Sequence, residues 1–386
     1  MLQAQWTPRA NRKCRSAFAL AAVTMLMSVA YADEVRPPMI DQSEFESLFE
    51  SAISDANKRL AYGAVLALDG AAELTATKGP IHRGSKEPVG SDVPWHIGSI
   101  SKSVTATLLL QLVSEGVLSL DAPLAEYLEQ HAGEMHVDWR AQTLRGLLSH
   151  TAGLPANVSQ TDLGGNWPDD LTLARKQILE RYWTEPLGDR PGDFQYSNLG
   201  YVLAGFVAED VTGKGWEQLV MSRIAEPLGL NTLCFGAPVT DGSPWGHSRF
   251  LGFLSAADPN GGGTTDNPAW MAPAGGLHMS LDDLVAWGEA HLRACKGQMP
   301  HFLAADLCRT MQTPLSDEYG LGWIIQQLPD SGQKIVWHNG SNTMWYAILV
   351  IMPDKDAVLA IAHNSGDAKP VDALARAIIE RVMNSR

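Results

Sequence analysis

The chain has 386 residues, 45% of them hydrophobic and 19% charged, with a formal net charge of −14. That length and apolar content allow a sizeable core, in one large domain or in two moderate ones sharing a cleft. The excess of acids makes nucleic acid and anionic membrane surfaces poor partners.

Four cations, Arg9, Arg12, Lys13 and Arg15, precede an apolar stretch from Ala17 to Ala30 and the small-x-small triplet Ala30-Tyr31-Ala32. This is the pattern of a secretory signal over residues 1–32, and its apolar stretch is short for a membrane span. The expectation is an exported, periplasmic protein with no stable membrane insertion after cleavage. Cleavage removes four cations and no acid, so the mature chain would carry −18. Of the cysteines left, Cys295 and Cys308 are the expected disulfide pair in an oxidising compartment, with Cys234 as an odd thiol.

Glu44 to Leu60 has Phe45, Leu48, Phe49, Ile53 and Ala56 at helical spacing. Tyr62–Leu68 and Glu73–Lys78 read as strands joined at the hairpin signal Asp69-Gly70. After a polar, turn-rich stretch comes Gly98-Ser99-Ile100-Ser101-Lys102, and then a run from Val104 to Val113 that is apolar almost all round. Such a run marks a buried helix. A helix stop at Glu115-Gly116 leads into helical segments that alternate with Pro/Gly loops up to about Gly236.

Residues 238–274 form a long aperiodic stretch rich in Gly, Pro, Asn and Asp, the kind of loop that is usually functional or mobile. Ser280 then caps a helix to about Ala294, with Asp282 and Asp283 in its first turn. Strand-like runs follow at Leu321–Gln327, Ile335–His338, Tyr346–Met352 and Ala357–His363, and Pro370 opens a last helix to Met383.

Strands thus sit at both ends of the mature chain, with helices between them. The expected fold is α+β: an antiparallel sheet flanked by helices, from residues 40–98 and 270–386. The mostly helical 99–269 would be inserted into it, with a long loop at a cleft between the two.

Ser99 and Lys102 stand at i and i+3 on one helix face, near the positive end of the helix dipole. A buried lysine has its pKa lowered and can take the proton of a neighbouring serine. The pattern S-x-x-K is weak by itself, and it recurs at Ser331-Gly332-Gln333-Lys334, where the context is a hairpin turn rather than a helix. Two further motifs favour the Ser99 copy. Tyr196-Ser197-Asn198 offers a phenol and an amide from the helical block. Trp337-His338-Asn339-Gly340-Ser341 ends a strand, with a glycine that lets a substrate approach the backbone.

Together these motifs, with Ser149-His150-Thr151-Ala152-Gly153 and Gly275-Gly276-Leu277-His278, resemble the penicillin-recognising serine hydrolases: class C β-lactamases, D-alanyl-D-alanine carboxypeptidases, D-aminopeptidases and related esterases. The resemblance covers about residues 43–384 and implies a β-lactamase/transpeptidase-like fold. It implies Ser99 as nucleophile, Lys102 as its base and Tyr196 as proton relay to the leaving group. Asn198 would hold a substrate amide, and the N–H groups of Ser99 and Ser341 would form the oxyanion hole. His338 and Gly340 would complete the substrate-binding set. No cofactor or metal is implied, and the partner is a small-molecule or peptide substrate.

The departure from the family pattern is His338, where class C β-lactamases have lysine. A histidine with pKa near about 6.5 would hold a substrate carboxylate less firmly than lysine, and less so as pH rises. That favours a peptidase or esterase. A true β-lactamase, and a non-catalytic protein that binds penicillin or peptidoglycan fragments, remain the alternatives. His150, His247 and His278 read as loop or packing histidines. His291, Cys295, His301 and Cys308 have zinc-ligand types at irregular spacing, and the disulfide is favoured over a metal.

Overall fold

The two ends of the chain meet in one six-stranded sheet, in the order β2-β1-β11-β10-β9-β8, with every neighbouring pair antiparallel. Its strands are β1 (Tyr62–Leu68), β2 (Leu74–Lys78), β8 (Ile324–Gln327), β9 (Lys334–Ser341), β10 (Tyr346–Met352) and β11 (Ala357–His363). The computed structural model describes residues 39–385 except 55–57, 69–72, 189, 251–252, 261–264 and 330. The expected signal segment and the Asp69-Gly70 turn therefore lie outside the described residues.

β1, β10 and β11 are buried on both faces, which is why they read as unbroken apolar runs rather than alternating ones. Alternate residues point into two separate cores. Ala64, Leu66, Val350, Leu359 and Ile361 pack under the terminal helices Gln42–Ala52 and Lys369–Met383, through Phe45, Phe49, Leu374 and Ile378. Val65, Leu349, Ile351 and Val358 face the helix Leu281–Cys295 and, beyond it, the helix Ser101–Ser114. Gly288 lets that first helix lie close to the sheet, since a Cβ there would sit 2.5 Å from Val358 Cγ1. Each fully buried Leu or Val in these layers contributes about 1.5–3 kcal/mol.

Between the two halves of the sheet the chain builds helices, among them Leu171–Glu180 and Asn198–Thr212. A small sheet of β3 (Trp95–His96), β4 (Cys234–Phe235) and β7 (Leu277–Met279) sits at the junction. Strands of two or three residues carry no periodic signal, so the sequence did not reveal them. The aperiodic stretch likewise contains a hairpin, β5 (Gly246–Phe250) with β6 (Phe253–Ala257). The first helix stops at Ala52 rather than Leu60. β8 starts at Ile324 rather than Leu321, because Gly322 takes φ +77° and packs against the backbone of Lys102.

Ser280 caps its helix as expected, accepting from Asp283 N–H. Cys295 and Cys308 form a disulfide joining that helix to Ala305–Met311, so the two sulfurs are not zinc ligands. No described cysteine is free, and the expected odd thiol at Cys234 is not found.

Candidate active site

A left-handed glycine starts the site. β3 ends at His96, and Gly98 at φ +51° turns the chain into a single 3-10 turn, Gly98–Ile100, that runs into the buried helix. Ser101 locks the turn by donating to Gly98 O (2.7 Å) and accepting from Leu277 N–H (3.1 Å). Ser99 is half-buried while Gly98 and Ile100 on either side are fully covered, so its hydroxyl is the group this turn presents to the cleft.

Lys102 is fully buried. Its Nζ lies 3.1 Å from Ser99 Oγ, 2.7 Å from Asn198 Oδ1 and 2.6 Å from Ala274 O. The rings of Tyr196 and Tyr201 stand 4.8 and 5.5 Å away. Burial holds its pKa well below the ordinary lysine value. A neutral amine has two N–H groups and one lone pair. The two firm acceptors, Asn198 and Ala274, take the N–H groups, which leaves the lone pair for the Ser99 hydroxyl.

Tyr196 is held between this amine and His150, whose ring centroid is 4.2 Å away. Burial pushes its phenol pKa up and the neighbouring Ser99 hydroxyl pulls it down, with burial dominant, so the phenol keeps its proton at neutral pH. His150 shapes the loop twice, through Nδ1, which accepts from Ser197 N–H (3.0 Å), and through its carbonyl, which accepts from Gln195 N–H (2.7 Å). Ser197 caps the helix Asn198–Thr212. His150, His247 and His278 are all buried with a ring nitrogen bonded to backbone, in keeping with packing roles.

Asn198 has two partners that the sequence did not suggest. Its Oδ1 takes the lysine and its Nδ2 donates to Asn157 Oδ1 (2.6 Å), leaving one N–H for a substrate. The first of these contacts helps to hold Lys102 in place.

The opposite wall is the end of β9. His338 is 2% exposed, accepts from the Tyr319 hydroxyl through Nε2 (3.0 Å) and donates through Nδ1 to Asn339 O (2.5 Å). Burial lowers its pKa to about 3. The expected histidine of ordinary pKa is thus corrected: this imidazole is neutral throughout the working range and both its nitrogens are engaged. An ester substrate bearing a carboxylate should therefore show a KM that does not rise between pH 5.5 and 8 on account of His338, because no proton leaves it there. A KM that climbs with a midpoint near pH 6.5 in the wild type, and not in His338→Gln, would contradict this.

Gly340 lines the site, and contact with protein backbone accounts for a glycine there. The space a side chain would fill is occupied by protein backbone rather than substrate: a Cβ would lie 1.9 Å from Ile97 O and 2.5 Å from Ser99 N. Reciprocally, a Cβ on Gly98 would lie 2.2 Å from Ser341 N. The two glycines let the Ser99 turn pack directly against the end of β9, backbone on backbone at Ser99 and Ser341. The Ser341 hydroxyl turns away, donating to Trp345 O (2.6 Å) and accepting from Thr343 N–H (2.9 Å).

Ser99, Tyr196, His338, Gly340 and Ser341 all line one cavity of about 590 Å3. Phe194, Asp317, Glu318, Tyr319 and Ile324 line it too, and sequence reasoning named none of these. Tyr319 reaches the site because its loop folds back on β8, pairing with Ile324, and no local pattern announces such a contact. The second S-x-x-K copy lies elsewhere, in the turn between β8 and β9, with Lys334 donating to Gln312 O (3.0 Å).

A family model described as Beta-lactamase matches residues 49–383. Penicillin-binding protein 4 of Amycolatopsis lactamdurans is 27% identical over 312 residues, 75% of this chain and 77% of that protein. Esterase EstB of Burkholderia gladioli is 27% identical over 334 residues, 78% of this chain and 84% of its own. Among solved structures, a D-stereospecific amidohydrolase from Streptomyces sp. superposes with a TM-score of 0.68 at 27% identity, covering 86% of this chain and 98% of that one.

Proposed function

The chain belongs to the beta-lactamase family of serine hydrolases, and on that premise we propose that it is an exported hydrolase that cleaves a small amide or ester through an acyl-enzyme on Ser99. The observation that carries the reading is the buried Lys102 amine, 3.1 Å from the Ser99 hydroxyl and positioned by two other acceptors.

Each step follows from a named group. Ser99 Oγ adds to the substrate carbonyl and its proton passes to Lys102 Nζ. The oxyanion that forms is held by the Ser99 and Ser341 N–H groups, a term usually worth several kcal/mol in acyl transfer. The Tyr196 phenol gives its proton to the leaving nitrogen or oxygen and is reprotonated from Lys102. Water then enters by the reverse path, adds to the acyl carbon and releases the acid and free Ser99. The neutral His338 offers no cation to a substrate carboxylate, which favours a peptidase or esterase over a β-lactamase. Among the described residues no helix is long and apolar enough to cross a membrane.

Intact-mass analysis after seconds of exposure to a short-chain ester, a D-Ala-D-Ala peptide and a fluorescent penicillin tests this reading. The expected result is rapid product from the ester or the peptide, with any adduct transient and mapping to Ser99. A persistent adduct with no product from any of the three would overturn the hydrolase in favour of a binding protein. Fast turnover of penicillin alone would make it a β-lactamase.

A further inference from the structure

The long aperiodic stretch plays no part in the mechanism above, yet one of its residues reaches both sides of the proposed oxyanion site. Asp266 is mostly buried, at 12% side-chain exposure. It accepts from His96 Nε2 (3.1 Å to Oδ2) and from Asn342 Nδ2 (2.9 Å to Oδ1). His96 is fully buried, and its other nitrogen, Nδ1, accepts the backbone N–H of Gly98 at 3.1 Å. Asn342 follows Ser341 directly, and its Oδ1 accepts from Met344 N–H (3.1 Å) and Trp345 N–H (3.2 Å), which builds the turn between β9 and β10.

One carboxylate therefore reaches the residue before Ser99 along one arm and the residue after Ser341 along the other. We propose that Asp266 and His96 are positioning residues that align the two oxyanion-hole N–H groups, an inference that rests on the acyl-enzyme reading.

The hydrogen bonds fix the chemistry of the link. Gly98 N–H donates to Nδ1, so the imidazole proton sits on Nε2, where the Asp266 carboxylate receives it. Burial pushes the Asp266 carboxyl pKa up, but His96, Asn342 and Asn267 N–H outweigh it and keep the group ionised. A charged acceptor gives the stronger hydrogen bond and holds the ring in this tautomer. A titratable neighbour of the pair is His278, which lies opposite His96 in the β3–β7 ladder and is lowered to about 4 by burial, so it stays neutral. The Trp345 ring stacks on His96 at 5.7 Å and restrains its tilt.

Removing a whole oxyanion donor costs about 100- to 1000-fold in kcat. Misaligning donors that remain present should cost less. In hydrolysis of a short-chain p-nitrophenyl ester, Asp266→Asn and His96→Leu are expected to lower kcat about 10- to 100-fold, with KM within about threefold of wild type. His96→Asn, whose Oδ1 replaces Nδ1 as acceptor for Gly98 N–H, should retain several-fold more kcat than His96→Leu. Phenylboronic acid, which forms a tetrahedral adduct on the serine, should lose affinity in step with kcat/KM.

Folded variants with kcat within twofold of wild type, or equal losses in His96→Asn and His96→Leu, would overturn the inference. If Asp266→Asn does not fold, the two His96 variants decide alone. Absence of Ser99-dependent turnover in the wild type would instead overturn the acyl-enzyme reading on which the inference stands.

Discussion

Replacing Ser99 by Ala is expected to lower hydrolysis of a p-nitrophenyl ester by at least about 10,000-fold, the scale of loss when a serine nucleophile is removed, while the protein stays folded. The asymmetry follows from what the hydroxyl touches. Its partners are the Lys102 amine and the Tyr196 phenol. Losing it leaves Lys102 with Asn198 Oδ1 and Ala274 O, which are enough for the two N–H groups of a neutral amine. Buried polar groups that keep their partners cost little, so the melting temperature should move by no more than about 2–4 °C, the shift that goes with roughly 1 kcal/mol. Ser331→Ala, in the second S-x-x-K copy, is the control and should leave activity unchanged. Equal ester hydrolysis in Ser99→Ala and wild type would place the reaction elsewhere on the molecule.

The contrast between the two S-x-x-K copies shows what a sequence tells about such a site. Motif order and the apolar run after Lys102 singled out Ser99, and the structure brings Ser99, Lys102, Tyr196, Asn198, His338, Gly340 and Ser341 together, whereas Ser331 and Lys334 sit on a hairpin. Long strands and capped helices were legible because each carries its signal over seven or more residues: β10, β11 and the helix after Ser280 fall within a residue or so of expectation.

Properties set by contact were not legible. The lowered pKa of His338 comes from burial, and the partner of its Nε2, Tyr319, is nineteen residues away in sequence. The commitment of Asn198 to Lys102 spans 96 residues. Asp266 lies in a stretch with no period, and its partners are 170 and 76 residues distant. Composition marks such a stretch as worth attention, but it does not say which of its acids is buried against the site.

Gly340→Ala should damage both activity and stability severely for a change of one methyl group. The added Cβ would meet only backbone: Ile97 O at 1.9 Å, Ser99 N at 2.5 Å and Gly98 C at 2.8 Å. No side chain is there to rotate aside, so the Ser99 turn or the end of β9 has to move by more than an ångström before the contact becomes tolerable. That turn is locked by Ser101 and its glycine already occupies the left-handed region, so strain spreads into both walls of the site. Overpacking of this kind costs typically about 1–3 kcal/mol, and displacement of the Ser99 N–H is expected to lower kcat by about 100- to 1000-fold. Gly332→Ala separates crowding from backbone strain. Gly340 does not have a positive φ, whereas Gly332 has φ +66° with nothing within 4 Å of its would-be Cβ, and it sits in the β8–β9 turn. There the change should cost only the φ penalty, about 1 kcal/mol, and leave kcat intact. Kinetics and urea midpoints of the two variants measured side by side decide the matter. A Gly340→Ala enzyme with wild-type kcat would mean that the glycine pair does not set the position of the Ser99 N–H.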